Sequence, residues 1–226
     1  MRRITLLTIL ILLTYVGVSQ KNADIGFIVG GATYLGDVNT ENPFRTIKPG
    51  VQGFYRHNIH SRLAVRGNAT YARIGGRDNL SDFDYQNLRG IEFDADLFEI
   101  AGMLEFNFFR FEQLPRQRFI SPYINGGIGL MTVDFQFNSN FREYFTIPFG
   151  VGVKIGINER WAVGLEYSFH RTFRDDLDKI PDWLYTSSET YPLKQRANVQ
   201  NDDWFTFFGV FLSYNLKDCV TCPANL

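Results

Sequence analysis

Residues 146–169 read TIPFGVGVKIGINERWAVGLEYSF, two runs in which apolar residues alternate with small or polar ones. Successive side chains of a β-strand point to opposite faces, so each run predicts a strand with one apolar face. The polar segment Asn158-Glu159-Arg160 between the runs predicts a tight turn. This stretch therefore predicts a β-hairpin, and the fold depends on whether its apolar face meets a protein core or lipid.

The N-terminus has the three-part pattern of a secretory signal peptide: Arg2 and Arg3, an apolar run over residues 4–18, and small or polar residues up to Gln20. The apolar run is shorter than the roughly 20 residues of a membrane-spanning helix. We expect residues 1–20 to be removed, which leaves 21 basic against 24 acidic residues and a formal net charge of −3. This balance does not predict nucleic-acid binding, which requires a clustered basic surface.

The same alternation recurs along the mature chain and predicts eight strands without an intervening amphipathic helix. The chain is 16% aromatic, whereas its mean hydropathy of −0.15 is ordinary. Transmembrane barrels combine these properties because their strands alternate in polarity. Besides the opening hairpin, the predicted strands cover residues 23–34, 47–59, 62–74, 93–109, 119–135 and 203–216.

The predicted joins alternate in length around the chain. Those after strands two, four and six are short and cover residues 58–61, 110–118 and 158–160. Those after strands one, three, five and seven are longer and cover residues 36–46, 75–92, 136–143 and 174–202. Outer-membrane barrels have short periplasmic turns and longer extracellular loops. We therefore predict an up-and-down eight-stranded outer-membrane barrel over residues 21–216, with both termini in the periplasm.

A soluble barrel of the lipocalin type is the alternative, with its apolar faces turned inward. Two features favour lipid on the apolar face. Aromatic residues flank the opening hairpin at positions expected near lipid headgroups: Tyr144, Phe145, Trp161 and Phe169. The opposite face is rich in glycine, which suits a crowded lumen: Gly26, Gly30, Gly150, Gly152, Gly156 and Gly164.

Charged side chains are expected inside this barrel, since they share the polar faces of the strands. Side chains fill the interior of an eight-stranded barrel, and buried charges must be paired. We therefore predict a polar network that closes the lumen and prevents conduction. Its predicted members are Arg66, Glu99, Glu105, Lys154, Glu166 and His170.

One group of polar residues also raises the question of catalysis. Glu166, Ser168 and His170 alternate along one face of strand seven. A nucleophilic serine needs a base within hydrogen-bond reach, but residues two apart on a strand are roughly 7 Å apart at the backbone. The trio also faces the lumen, away from a lipid substrate. We favour an interior polar network and predict no catalytic site, metal site or cofactor.

The C-terminal segment 217–226, KDCVTCPANL, follows the last strand and holds both cysteines, Cys219 and Cys222. An oxidising periplasm allows a disulfide, within the chain or to a partner. A redox site lacks the expected βαβ context, and a zinc site would need ligands from a partner. We expect this tail to lie in the periplasm and to contact a partner.

Five segments of the mature chain form a pattern by their order and spacing. The first is IGFIVGGATYLGDVN, with matches at Gly30, Gly31, Tyr34, Gly36, Asp37 and Asn39. The others are residues 54–76, the segment SPYINGGIG at 121–129, the segment RDDLD at 174–178 and residues 202–216. Over nearly the whole mature chain, this pattern resembles the PorG-like family, outer-membrane components of the type IX secretion system of Bacteroidota.

The resemblance implies a non-enzymatic role in protein export and gliding motility. Family members are associated with a periplasmic ring built from a lipoprotein and its partner, so the barrel would anchor or dock that ring in outer-membrane lipid. The rival hypothesis is a small outer-membrane barrel of another class, either a lipid-active enzyme or an envelope-stabilising, adhesin-like protein. In that case the long join at residues 174–202 would carry the function.

Overall fold

A computed structural model describes residues 23–35, 46–77, 92–111, 120–135, 138–173 and 204–216. These residues form eight antiparallel strands in one closed barrel, in which each strand pairs with its sequence neighbours and β1 pairs with β8. The predicted fold class is thus confirmed. The strands are β1 (Ala23–Leu35), β2 (Lys48–His60), β3 (Leu63–Arg77), β4 (Glu92–Asn107), β5 (Ile120–Phe135), β6 (Asn138–Gly156), β7 (Trp161–Thr172) and β8 (Trp204–Asn215).

The pairing register determines how far the strands tilt. From Gly30, the pairs through β2, β3, β4 and β5 lead to Arg142 of β6. In the other direction, the pairs from Gly30 through β8 and β7 lead to Gly152 of β6. The two paths around the barrel therefore reach β6 at residues that are ten positions apart. With ordinary strand spacings this stagger corresponds to a tilt of about 40°. The barrel is therefore a narrow tube whose interior is filled by side chains.

The barrel has two ends, a terminal end, where the described ends of the chain lie, and a far end opposite to it. At the terminal end, Leu216 N donates to Ala23 O at 2.7 Å, so the described ends of the chain meet. At the far end, Leu35 of β1 pairs with Trp204 of β8.

The prediction of alternating join lengths is wrong at two consecutive joins, those on either side of β5. Residues 138–143 were expected in a long join, but β6 begins at Asn138, so only residues 136–137 separate β5 from β6. The β4–β5 join, predicted to be short, covers residues 108–119. The error has a cause in the sequence: residues 138–143, NSNFRE, lack the apolar alternation that was used to find strands.

The outer surface is an apolar band. Large apolar side chains point away from the lumen on all eight strands, with Leu130 68% and Leu165 62% exposed. Aromatic pairs lie at both edges of the band: Trp161 and Tyr214 at the terminal end, 5.0 Å between ring centroids, and Phe145 with Phe173 at the far end, at 5.8 Å. Such an exterior is stable only against hydrocarbon, so the chain is a membrane barrel of the outer-membrane type.

One predicted edge residue lies elsewhere. Tyr144 is only 2% exposed and points inward. Tyr144 is two residues from Thr146 on β6, so the two side chains point to the same face, and Thr146 is also buried. Phe145, between them, points outward. Aromatic character alone therefore predicted the wrong face, and the alternation predicts the right one. Within the described ranges, no helix is both long and apolar enough to cross a membrane.

Candidate functional site

The terminal half of the lumen contains a network of paired charges from six strands. Arg66 on β3 reaches Glu166 on β7, with Nη1 and Oε2 2.5 Å apart. The hydroxyl of Tyr123 on β5 donates to the same Glu166 oxygen at 2.5 Å. All three side chains are almost completely buried. The contact therefore ties three separate strands together across the tube.

Glu105 on β4 is the centre of the network. Lys154 Nζ donates to its Oε1 at 2.7 Å, and Arg56 Nε lies 3.0 Å from its Oε2. Arg66 Nη1 lies 3.8 Å from the same oxygen. Three cations therefore surround one carboxylate. The two further acids of the network, Glu166 and Asp24, neutralise the remaining positive charge.

Asp24 on β1 completes the network at the terminal end. Its Oδ2 lies 3.4 Å from Arg56 Nη1 and accepts from Asn58 Nδ2 at 3.1 Å. Its Oδ1 accepts from Asn215 Nδ2 at 2.8 Å. Three cations and three carboxylates thus face one another, so the buried charges of this half cancel, as stable burial requires.

Aromatic rings pack around these charges where glycines leave space. The guanidinium of Arg66 lies 4.3 Å from the ring centroid of Phe54. A Cβ placed on Gly152 would lie 2.4 Å from the Tyr123 ring, and one on Gly164 would lie 2.5 Å from the Phe211 ring. These inward glycines therefore make room for the rings that surround the network.

A second polar cluster lies nearer the far end. His170 Nε2 and Ser168 Oγ on β7 are 2.9 Å apart. His170 Nδ1 lies 2.8 Å from Oε2 of Glu99, which projects from β4. Thr146 on β6 donates to the other Glu99 oxygen at 2.6 Å. The His170 ring stacks on Phe205 with centroids 4.2 Å apart.

Apolar side chains fill the lumen towards the far end. They belong to one buried cluster that includes Tyr34, Ile74, Leu97, Val133 and Tyr144. The lumen is thus closed in two ways, by neutralised charges in the terminal half and by an apolar layer beyond the second cluster. No described part of this interior offers a route for a polypeptide.

The structure brings the six predicted lumen residues into these two clusters. Arg66, Glu105, Lys154 and Glu166 lie in the charged network, and Glu99 and His170 lie in the second cluster. Three further members escaped the sequence-based selection: Asp24, Arg56 and Tyr123. Arg56 was detectable, since it alternates with Tyr55 on β2. Asp24 and Tyr123 were detectable in the same way, since Asp24 alternates with outward Ile25 on β1 and Tyr123 with outward Ile124 on β5.

The tail cysteines and the family-motif residues are only partly covered by the structure. Cys219 and Cys222, together with the motif residues Gly36, Asp37 and Asn39, lie outside the described residues. Gly30 and Gly31 lie in β1, where Gly30 pairs with Gly209 of β8. A Cβ on Gly30 would lie 1.8 Å from the carbonyl oxygen of Phe208, so the close approach of these strands requires glycine there. In the described part of the chain, no group of three or more His, Cys, Asp or Glu residues could hold a metal ion.

Comparison with known proteins gives a family and a fold. Residues 2–224 match the family described as "Domain of unknown function (DUF6089)". No curated protein matches the sequence. Among solved structures, Neisserial surface protein A is similar at a TM-score of 0.53 and 10% identity, over 85% of this chain and 96% of that one.

Two further barrels are similar at lower scores. The attachment invasion locus protein Ail of Yersinia pestis gives a TM-score of 0.47 and 13% identity, over 85% of this chain and 97% of that one. OprG of Pseudomonas aeruginosa gives a TM-score of 0.44 and 10% identity, over 87% and 98%. At these identities the likeness concerns the fold alone.

Proposed function

We propose that this chain, which belongs to the DUF6089 family, is a structural outer-membrane component of the type IX protein secretion system that anchors or docks its periplasmic ring. The observation that carries the proposal is the closed lumen. A tube filled by Arg66, Glu105, Glu166 and their partners cannot conduct a protein, so any role in export lies in the barrel's surfaces.

The surfaces divide into a lipid-facing band and two ends. In the proposed orientation the terminal end lies in the periplasm, where a ring would be met. Apolar side chains at this end support a docking role, since Phe109, two residues past β4, is 60% exposed and Ile59, near the end of β2, is 58% exposed. The ring lipoprotein and its partner are the proposed contacts, together with the tail that holds Cys219 and Cys222.

The resemblance of the sequence to PorG-like proteins supports the choice of machine. It also supports an involvement in gliding motility, which depends on the same export route. The anchoring role requires no chemistry from the barrel and no cofactor.

Deletion of the gene and cross-linking in native membranes test the proposal together. We expect the deletion to abolish export of secreted proteins, and a cross-linked pull-down to recover the ring lipoprotein. A charge at the terminal end, Phe109→Glu, should weaken that recovery, whereas Phe145→Glu at the far end serves as the matched control. Normal export in the deletion strain, or a pull-down without ring proteins, would contradict the proposal.

A surface role at the far end is the second candidate. It is the role named for a Neisserial surface protein that has the same fold. Shortening the join at residues 174–202 separates the two functions, because a ring anchor tolerates the change and an adhesin-like protein does not.

A further inference from the structure

We propose that a groove on the outer wall of the barrel binds one acyl chain of a phospholipid, whose phosphate is held by Arg110. The groove encloses about 1040 Å³, at the upper end of the roughly 300–1,000 Å³ of ordinary ligand sites. Its walls are outward side chains such as Leu165 and Val210, which are 62% and 53% exposed. The groove therefore opens to the membrane and not to the lumen.

The wall on the terminal side of the groove is one row of the pairing register. Phe108 N donates to Pro122 O at 3.0 Å, and the Cα pairs continue from Pro122 through β6, β7 and β8 to β1. The outward side chains of this row are, in order, Phe108, Pro122, Val153, Leu165, Val210 and Val29. Because paired strands are about 4.8 Å apart, the five steps along the row give a groove about 24 Å long.

The wall on the far side is the next outward row, two residues further along each strand. Its side chains are Ile124, Val151, Tyr167 and Phe208. The rings of Tyr167 and Phe208 stack with centroids 6.4 Å apart, and Phe169 meets Tyr167 edge-on at 4.9 Å. Between the walls the floor is strand backbone, including that of Gly152 and Gly209. This apolar lining suits hydrocarbon.

The course of the groove matches one leaflet of a bilayer. Val29 lies in the middle of β1, whereas Phe108 directly follows β4 at the terminal end. The strands tilt by about 40°, so a row about 24 Å long rises by about 15 Å across the membrane. Half of the hydrocarbon core is also roughly 15 Å thick. A chain in the groove thus runs from the terminal rim to the middle of the membrane, as a lipid chain does.

The mouth of the groove at the terminal rim carries a cation. Arg110 is exposed and follows two residues after Phe108. Ser121 Oγ accepts from Phe109 N at 3.3 Å and donates to Phe109 O at 3.0 Å, so this segment is held against β5. Among the described residues Arg110 forms no ion pair. A guanidinium binds phosphate through paired hydrogen bonds. Arg110 is therefore placed to hold the phosphate of a lipid whose chain enters beside Phe108.

The other end of the groove does not attract an anion. Lys48 lines it, but its Nζ lies 2.7 Å from Oδ1 of Asp94, so its charge is already neutralised. The headgroup is thus assigned to the terminal end. In the orientation proposed above, the leaflet at that end faces the periplasm and consists of phospholipid.

The test uses the full-length barrel, refolded into phosphatidylglycerol vesicles, extracted into mild detergent and weighed by native mass spectrometry. We expect one phosphatidylglycerol molecule to stay bound to each barrel. Val153→Trp fills the groove and should abolish this adduct. Val65→Trp is the matched control, because Val65 on β3 is 42% exposed against 39% for Val153 and lies outside the groove. The gel mobility of unheated protein, which reports the folded barrel, should stay unchanged in both variants.

Arg110→Gln tests the headgroup contact. The variant should retain phosphatidylglycerol about tenfold less well, as expected for the loss of one charge-assisted contact. Diacylglycerol, which has the chains without the phosphate, should be retained equally by the wild type and the variant. Arg160→Gln is the control, because Arg160 is exposed at the same end but its Nη1 donates to the Tyr214 hydroxyl at 2.7 Å.

A diazirine on the acyl chain locates the bound lipid. On illumination it should label the peptides that contain Val151 and Leu165 in preference to the peptide that contains Val65. The proposal would be overturned by a wild-type barrel without retained lipid, by an adduct that survives Val153→Trp, by equal loss in Val65→Trp, or by full retention in Arg110→Gln. None of these outcomes bears on the secretion role, which is tested in cells.

Discussion

Arg66 and Glu166 are separated by 100 residues in the sequence, yet their side chains meet inside the barrel with Nη1 and Oε2 2.5 Å apart. Arg66 comes from β3 and Glu166 from β7, which are not neighbours in the sheet. Their contact crosses the lumen, and the Tyr123 hydroxyl from β5 meets the same Glu166 oxygen at 2.5 Å.

Removing one partner of this pair should destabilise the barrel strongly. Glu166→Ala leaves the buried Arg66 without its nearest carboxylate, so we expect the free energy of unfolding to fall by about 3–5 kcal/mol. Urea unfolding of the protein refolded into lipid vesicles measures the change. Asp96→Ala is the control, because Asp96 pairs with the largely exposed Arg73 and its loss should matter far less. Equal effects of the two variants would contradict a dry, tightly paired lumen.

The inward and outward glycines should respond oppositely to alanine. A Cβ on Gly152 would lie 2.4 Å from the Tyr123 ring, so Gly152→Ala should cost about 1–3 kcal/mol of unfolding free energy. A Cβ on Gly53 meets nothing within 4 Å, so Gly53→Ala should stabilise the strand by about 0.5–1 kcal/mol. The same unfolding assay compares both variants. A stabilising Gly152→Ala would show that Tyr123 does not fill the space assigned to it.

The outer face should reject charge according to depth. Leu165 lies on the apolar exterior of β7, away from both rims, and Leu165→Arg should cost about 2–4 kcal/mol in a bilayer. Ile157 lies just past β6 at the terminal end, and Ile157→Arg should cost only about 0–1 kcal/mol. If the mature protein instead folded as a monomer without detergent, the exterior would not be lipid-facing.

The closed lumen should make the barrel non-conducting. The purified wild-type protein in a planar bilayer should show no steady current, because paired charges and apolar side chains fill the tube. Glu105→Ala removes the carboxylate shared by Lys154, Arg56 and Arg66. We expect mutual repulsion of these cations to hydrate the lumen and produce flickering current. A large steady conductance of the wild-type protein would refute the plug.

Strand alternation, together with the flanking aromatics and the glycines of the opposite face, was sufficient to predict the fold and most of the interior. Because side chains alternate strictly between faces, the inward position of Lys154 and the outward position of Val153 follow from their neighbours. The predicted strand bounds were wrong where the sequence does not alternate, and the predicted face of one side chain was wrong where the alternation was disregarded. The hairpin from Asn138 has no apolar face to reveal it, and Tyr144 was assigned outward on its aromatic character despite its parity.

The sequence by itself determined which side chains enter the tube, since parity on each strand depends only on the residues along it. It did not determine which of them meet. Glu99 and Glu166 are equivalent by parity, yet one orients His170 and the other binds Arg66. Only closure of the barrel, with its ten-position stagger, sets the relative heights of β3, β4 and β7 and so decides those contacts. Pairing across a lumen depends on the geometry of all eight strands together, which no single strand contains.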